Sequence, residues 1–222
     1  MHVVGHATGV PALLFDFDGL IVDTERTFAD AVIEQVRLHG GSVTYDEMSH
    51  LFGTTEAGHL WVELVPRWCE GLTMEAIAPH LAATLPAIND ALDPLPGVRE
   101  LIDSAHALGW RIGLGTGSSR ETVTRRLERH GLLPRFDEIV TRADVAEGKP
   151  APDIFLELAR RLTVPPADCL VLEDSPHGCV AAIAAGMRVI ACPSVVTAGC
   201  TFPDGVERVA TLLDVSLPAP RD

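Results

Sequence analysis

The 222-residue sequence predicts an α/β protein, a doubly wound parallel sheet interrupted after its first strand by an all-helical lobe. Three patterns carry that prediction. The run Val10, Ala12, Leu13, Leu14, Phe15 is apolar on both sides, which fits a strand covered on both faces. From about 22 to 92 the periodicity is helical only, with no strand-like run. From 97 onward short apolar strands alternate with helices, the pattern of βαβ units in a parallel sheet.

The first strand covers roughly 12–16. Phe28, Ala31, Val32 and Val36 then recur on one helical face, and Gly40-Gly41 stops that helix. Thr44 with Glu47 three residues later is a capping box that opens a second, short helix. A third helix runs from Thr55 towards Trp68 and a fourth from Thr73 towards Ile88. Pro94 and Pro96 stiffen the return to the sheet. A helix over 97–108 leads to the strand RIGLGT (111–116), and a helix over 119–130 leads to the weaker strand DEIVT (137–141). A helix over 153–162, the strand DCLVLE (168–173), a helix over 177–185 and the strand MRVIA (187–191) complete the order. Residues 1–21 and 95–222 are therefore expected to form the core and 22–94 the lobe, hinged near Leu20–Val22 and Leu92–Pro96.

A formal net charge of −14 argues against nucleic acid or an anionic membrane surface as partner. No apolar stretch reaches the roughly 18 residues that a membrane helix needs. The opening MHVVGHATGV lacks the basic start and apolar stretch of a signal peptide. Five cysteines, an odd number with no Cys-x-x-Cys pair, read as reduced thiols. A cytoplasmic protein is expected, as a monomer or small homo-oligomer. The charge is uneven: between Asp23 and Pro94 twelve acids stand against three arginines. The 17 basic residues are 16 arginines and a single lysine, Lys149.

Ligands of a doubly wound sheet bind at the carboxyl ends of its strands. Four segments put polar groups there: Asp16 and Asp18, Thr116-Gly117-Ser118, Lys149 after a loop, and Glu173-Asp174. DFDG fails as a calcium-binding EF-hand loop, which would need glycine at Ile21 and glutamate at Thr27. A solvated turn remains the plain alternative. GLGTGSS (113–119) has glycines inside the strand, so a phosphate-holding turn at a helix N-terminus fits it better than a dinucleotide loop. Most lysines are surface residues, but a chain that otherwise uses arginine for every cation has set its one lysine in a tight Gly/Pro loop, where a compact point charge differs from a fork. Glu173-Asp174 alone would pass as acids before a helix that starts at Pro176. Beside Asp16 and Asp18 they make a set of hard oxygen ligands suited to Mg²⁺. The histidines lack any repeated spacing, and Trp61 and Trp68 lie two turns apart on one helix, so both sets read as packing or surface residues.

With FDFDGLIVDT, LGTGSS, GKPAPDIF and LVLEDSPHG in this order around a helical insert, nearly the whole chain resembles the haloacid dehalogenase superfamily. The closer likeness is to the branch with a helical cap after the first strand, which contains β-phosphoglucomutase and many sugar-phosphate phosphatases. That resemblance implies a Rossmann-like core. It implies Asp16 as the nucleophile that becomes an aspartyl phosphate, and Asp18 as the acid that protonates the leaving oxygen and then deprotonates water. Mg²⁺ would sit on Asp16, the Asp18 main-chain carbonyl and Asp174, with Glu173 as a further direct or water-mediated ligand. Thr116 and the N–H groups of Phe17 and Gly117 would hold phosphoryl oxygens, with Ser118 in the same turn. Lys149 would bridge phosphate and nucleophile. Two like charges at short range push their pKa values apart, so the Asp16–Asp18 pair would hold one ionised nucleophile and one protonated acid.

Within that superfamily, Asp18 argues against a dehalogenase, which lacks the second aspartate. A lobe without lysine excludes the Schiff base of a phosphonoacetaldehyde hydrolase. A β-phosphoglucomutase uses a cap histidine, lysine and arginine, whereas Phe28 stands here where the histidine belongs and Glu56 where the arginine would fall. The expectation is a Mg²⁺-dependent phosphatase for a small phosphorylated metabolite, with a phosphosugar mutase or a catalytically silent binding protein as alternatives. The acidic cap favours an uncharged sugar or polyol as leaving group, and Arg26, Thr54, Thr55, Glu56 and His59 are candidates for recognising it.

Overall fold

The computed structural model describes residues 11–53 and 58–218. Six parallel strands form one sheet in the order β3-β2-β1-β4-β5-β6. They are β1 (Ala12–Phe15), β2 (Arg111–Thr116), β3 (Glu138–Thr141), β4 (Cys169–Glu173), β5 (Arg188–Ala191) and β6 (Glu207–Arg208). The expected α/β, doubly wound, Rossmann-like core is what the chain adopts.

Alternation along β1 explains its unbroken apolar run. Leu13 and Phe15 pack with α5 (Val98–Ala107) and α6 (Arg120–Arg129) on one face of the sheet. Ala12 and Leu14 pack with α7 (Asp153–Leu162) and α8 (Pro176–Ala184) on the other. Both faces are dry, so both sets of side chains must be apolar. The sixth strand, β6, lies outside the sequence expectation. It has two residues, both exposed, and pairs only with β5 at the sheet edge, so it carries no burial signal to read.

Between β1 and β2 the described residues from Thr24 to Asp90 hold helices and turns and no strand. These are α1 (Thr24–Leu38), the one-turn α2 (Tyr45–Met48), α3 (Gly58–Trp68) and α4 (Met74–Asp90). The expected start of the third helix, at Thr55, falls outside the described residues. Thr44 and Glu47 exchange both bonds of the capping box, and Thr73 caps α4 by accepting from the Ala76 N–H at 3.3 Å. α4 continues through Pro79 and Pro86, both exposed, so the carbonyls they leave without an intrahelical donor have water within reach. A separate core joins these helices, built on Val32, Val36, Met48, Val65, Ile77 and Leu81. No helix among the described residues is long and apolar enough to cross a membrane.

The two connections between lobe and sheet are tied to each other, since the Leu95 N–H donates to the Ile21 carbonyl at 2.8 Å. Just beyond, Gly97 starts α5 at φ +94°, and a Cβ there would lie 2.5 Å from the Leu213 nitrogen. Gly97→Ala is therefore expected to lower stability by about 1–3 kcal/mol, read as a lower urea midpoint with an unchanged slope.

Candidate active site

The carboxyl ends of β1, β2 and β4 meet at the centre of the sheet, because β1 pairs with β2 on one side and with β4 on the other. Asp16 directly follows β1, and its N–H donates to the Leu172 carbonyl of β4. Thr116 ends β2, Glu173 ends β4, and Asp174 follows it. Residues far apart in sequence thus converge on one spot.

Lys149 reaches that spot from the loop before α7. Its Nζ donates to Asp16 Oδ1, to Glu173 Oε1 at 2.6 Å and to the Gly115 carbonyl at 3.2 Å, and it lies 5.0 Å from the Phe155 ring centre. Burial alone would lower the lysine pKa, but the two carboxylates outweigh it and hold the ammonium well above its usual range. Glu173 Oε2 accepts from the Asp174 N–H, the Ser175 N–H and the Ser175 hydroxyl, all within 3.1 Å. Gly178 makes room for this, since a Cβ there would fall 1.7 Å from Glu173 Oε1. Glu173 is thus anchored by the protein on both oxygens, and it orients Lys149 and the turn after β4.

Asp174 is the opposite case. It is 1% exposed, yet no donor reaches either of its oxygens. Asp16, Glu173 and Asp174 offer oxygens that all lie within 4.8 Å of one another. Glu25, in the first turn of α1, adds a fourth buried carboxylate whose Oε2 also lacks a donor. Four carboxylates face one ammonium. Burial, opposed by Lys149 and reinforced by Glu173, raises Asp16 to about 7. Burial pushes Asp174 and Glu25 well above the usual carboxylate range, reinforced at Asp174 by the charges of Glu25, Glu173 and Asp16 and at Glu25 by those of Asp16, Asp18 and Glu173. The bare oxygens, the hard donor set and the excess negative charge fit a divalent cation such as Mg²⁺.

Asp18 stands outside this buried cluster, with its side chain 27% exposed. It accepts from Thr24 Oγ1 at 2.6 Å and Ser118 Oγ at 2.5 Å, and Arg126 lies 3.8 Å away. Ser118, expected to hold phosphate, donates its hydroxyl to Asp18, while its N–H donates to Thr116 Oγ1 at 3.0 Å. The Phe17 side chain is buried in the core, so only its main chain is available to the site.

A cavity of about 570 Å³ opens above these groups, with Asp16, Asp18, Lys149, Gly117 and Ser118 on its sheet side. Phe28, Phe52 and Trp61 of the lobe wall it, with ring centres 5.0 to 6.3 Å apart. Of the expected lobe candidates, Thr54, Thr55 and Glu56 lie outside the described residues. Arg26 is exposed and paired with Asp30, His59 is exposed, and neither lines the cavity. Glu25, Asn89, Arg126 and Arg142 do line it and were not singled out from sequence. Glu25 adjoins the motif FDFDGLIVDT and was within reach of such a reading. The two arginines sit among 16 with nothing local to distinguish them.

Once divalent cations are stripped with EDTA, thermal stability should fall as pH rises from about 4 to about 7. Folded Asp16 keeps its proton to about 7 and the unfolded chain releases it near 3.8, so the native state binds more protons across that window. Calorimetric scans at stepped pH check this, and added Mg²⁺ should flatten the slope. Asp174→Asn should melt higher than the parent in EDTA at pH 7, by several degrees, and lose most of the rise that Mg²⁺ produces.

The haloacid dehalogenase-like hydrolase family matches the chain over residues 13–192. YhcW of Bacillus subtilis (strain 168) is 32% identical over 208 residues, 94% of each chain. Hexitol phosphatase B of Escherichia coli (strain K12) is 28% identical over 186 residues, 82% of this chain and 83% of its own. The crystal structure of CbbY from Rhodobacter sphaeroides in complex with phosphate shares the fold with a TM-score of 0.70, at 28% identity, over 93% of this chain and 96% of its own. The family match reaches from β1, which delivers Asp16, past β4, which delivers Glu173 and Asp174, and so takes in every strand of the site: the chain belongs to the haloacid dehalogenase-like hydrolases.

Proposed function

We propose that this hydrolase is a Mg²⁺-dependent phosphatase that cleaves a small phosphomonoester through an aspartyl phosphate on Asp16. The observation that carries the reading is the contact of Lys149 with a buried Asp16 at the floor of the cavity, with a second carboxylate, Asp18, beside it in a separate hydrogen-bonded setting. Asp16 lies against the buried ammonium where it can attack a phosphoryl group, and the Thr24 and Ser118 hydroxyls fix the Asp18 carboxylate beside it, within reach of the leaving oxygen and of water.

In the first step an Asp16 carboxylate oxygen attacks phosphorus, the bond to the leaving oxygen breaks, and Asp18 transfers its proton to that oxygen. In the second step Asp18 takes a proton from water, the hydroxide attacks the phosphoryl group, and Asp16 is released with inorganic phosphate. Thr24 and Ser118 hold the Asp18 carboxylate in position for both transfers. Lys149 offsets charge as it spreads over the phosphoryl oxygens, with Thr116 and the N–H groups of Phe17 and Gly117 as further donors. Mg²⁺ would be held by Asp16, Asp174 and the Asp18 carbonyl, with Glu173 behind them, and would supply positive charge to the phosphoryl group. Residues 22–94 act as a cap over the cavity and restrict water to the second step.

A sugar or polyol phosphate is the substrate class we favour. The likeness to hexitol phosphatase B supports it, and so does a cap whose arginines, Arg26, Arg37 and Arg67, are absent from the described cavity lining. Arg126 and Arg142 keep a mutase in view, because they bring into the cavity the cations that the cap composition lacks and that a second phosphate would need. Arg126 already faces Asp90 at 3.4 Å and Asp18 at 3.8 Å, which favours the phosphatase. All five cysteines are free, which suits a cytoplasmic setting.

Phosphate release from a panel of sugar, polyol, nucleotide and carboxylate monophosphates, with and without Mg²⁺, tests the proposal. Release should require Mg²⁺ and be highest for polyol or sugar esters. It should fall to background in Asp16→Asn and by about 10²–10⁴-fold in Asp18→Asn. Conversion of β-glucose 1-phosphate to glucose 6-phosphate on addition of the bisphosphate, without net release, would assign a mutase instead.

A further inference from the structure

Glu25 belongs to two structures at once. Its Oε1 accepts the Gly53 N–H at 3.0 Å, while its Oε2 is buried without a donor beside Asp174, whose own oxygens are equally bare. Gly19 keeps the space between those carboxylates open. At φ +82° it carries no side chain, and a Cβ there would lie 2.2 Å from Asp174 Oδ2 and 3.1 Å from Glu25 Oε2. Gly53 belongs to the segment Leu51–Gly53, which lines the cavity opposite the sheet. That segment rests on the turn after β4: a Cβ on Gly53 would meet Ser175 Oγ at 2.1 Å, and His177 Nδ1 lies 3.1 Å from the Phe52 carbonyl oxygen. Ser175 in turn donates to Glu173, the anchor of Lys149.

We propose that Glu25 is a positioning residue that couples cation binding to the seating of the substrate-facing loop 51–53. Its Oε2 takes part in the cation's coordination sphere, and its Oε1 holds Gly53 down on the site. Without a cation, no positive group among the described residues stands between Glu25 and Asp174 across the Gly19 gap to hold Glu25 against the site, and its anchor is the bond from Gly53. With a cation in the gap, that hold is supplied. Linkage then makes the effect reciprocal: whatever seats the loop tightens the cation, and the cation protects the loop. The proposal rests on the reading of Asp16 and Asp174 as cation ligands.

The test uses the full chain, stripped with EDTA, and two readouts that need no turnover. Calorimetric titration gives the Mg²⁺ affinity, and NMR hydrogen exchange gives the protection of the Gly53 amide with and without Mg²⁺. In the wild type, Mg²⁺ should slow Gly53 exchange. Glu25→Gln, which keeps the shape, should weaken Mg²⁺ about tenfold and abolish that protection. Gly53→Ala, which adds no charge and replaces no carboxylate but cannot seat against Ser175, should weaken Mg²⁺ several-fold. Mg²⁺ binding that Asp174→Asn abolishes but Glu25→Gln and Gly53→Ala leave unchanged would overturn this proposal and leave the cation site standing. A wild-type Gly53 amide indifferent to bound Mg²⁺ would overturn it as well. No Mg²⁺ binding to the wild type would overturn both readings together.

Discussion

Lys149 is the interaction on which the site depends. Its ammonium is buried among Asp16, Glu173 and the Gly115 carbonyl, and so joins the ends of β1, β2 and β4 through one point charge. An unpaired buried lysine would be pushed to give up its proton; here the carboxylates beside Lys149 hold its charge in place. Removing one partner would strand the rest in a dry interior, where breaking such a pair costs about 3–5 kcal/mol.

Even so, the balance is incomplete. One lysine against Asp16, Glu173, Asp174 and Glu25 leaves a negative surplus, and the surplus falls on Asp174, neither of whose oxygens has a donor, and on Glu25, whose Oε2 has none. Glu173 shows that the protein can satisfy a buried carboxylate here when the fold requires it, with three donors from the turn that follows β4. The contrast between neighbouring residues is informative. Glu173 is held by the turn that follows β4, whereas no donor reaches Asp174. Three buried carboxylate oxygens without donors, two on Asp174 and one on Glu25, cost stability at a place where the chemistry favours positive charge.

The helical lobe meets the sheet through polar contacts placed around this centre. Asp90 at the end of α4 accepts from Arg125 and Arg126 of α6, and Phe52 and Gly53 rest on Ser175 and His177. The lobe's apolar core also takes in Val196, fully buried, from the segment after β5, so packing joins lobe and sheet as well as the polar contacts. The cavity is built from both sides, chemical groups from the sheet and aromatic walls from the lobe.

Local pattern was enough to read most of the fold. The two-faced apolar run of β1, the capping box at Thr44 and the alternation after Gly97 each reflect interactions within a few residues or a uniform dry environment, and these leave a mark on sequence. The convergence of Asp16, Thr116, Lys149 and Glu173-Asp174 was legible too, because parallel topology sends every strand's carboxyl end to the same edge. β6 was not legible, being two exposed residues held only by a neighbour. Nor were the roles of Arg126 and Arg142, whose place in the cavity depends on how α6 and the turn after β3 face the lobe. The division of labour between Glu173 and Asp174 was equally hidden, since two adjacent acids look alike until the turn after β4 directs three donors at one of them. Periodicity and capping thus mark the elements that bury a face, and strand order the groups that reach the sheet edge. Which of those groups are satisfied is a matter of tertiary contacts, because a buried charge is answered by donors that arrive from distant parts of the chain.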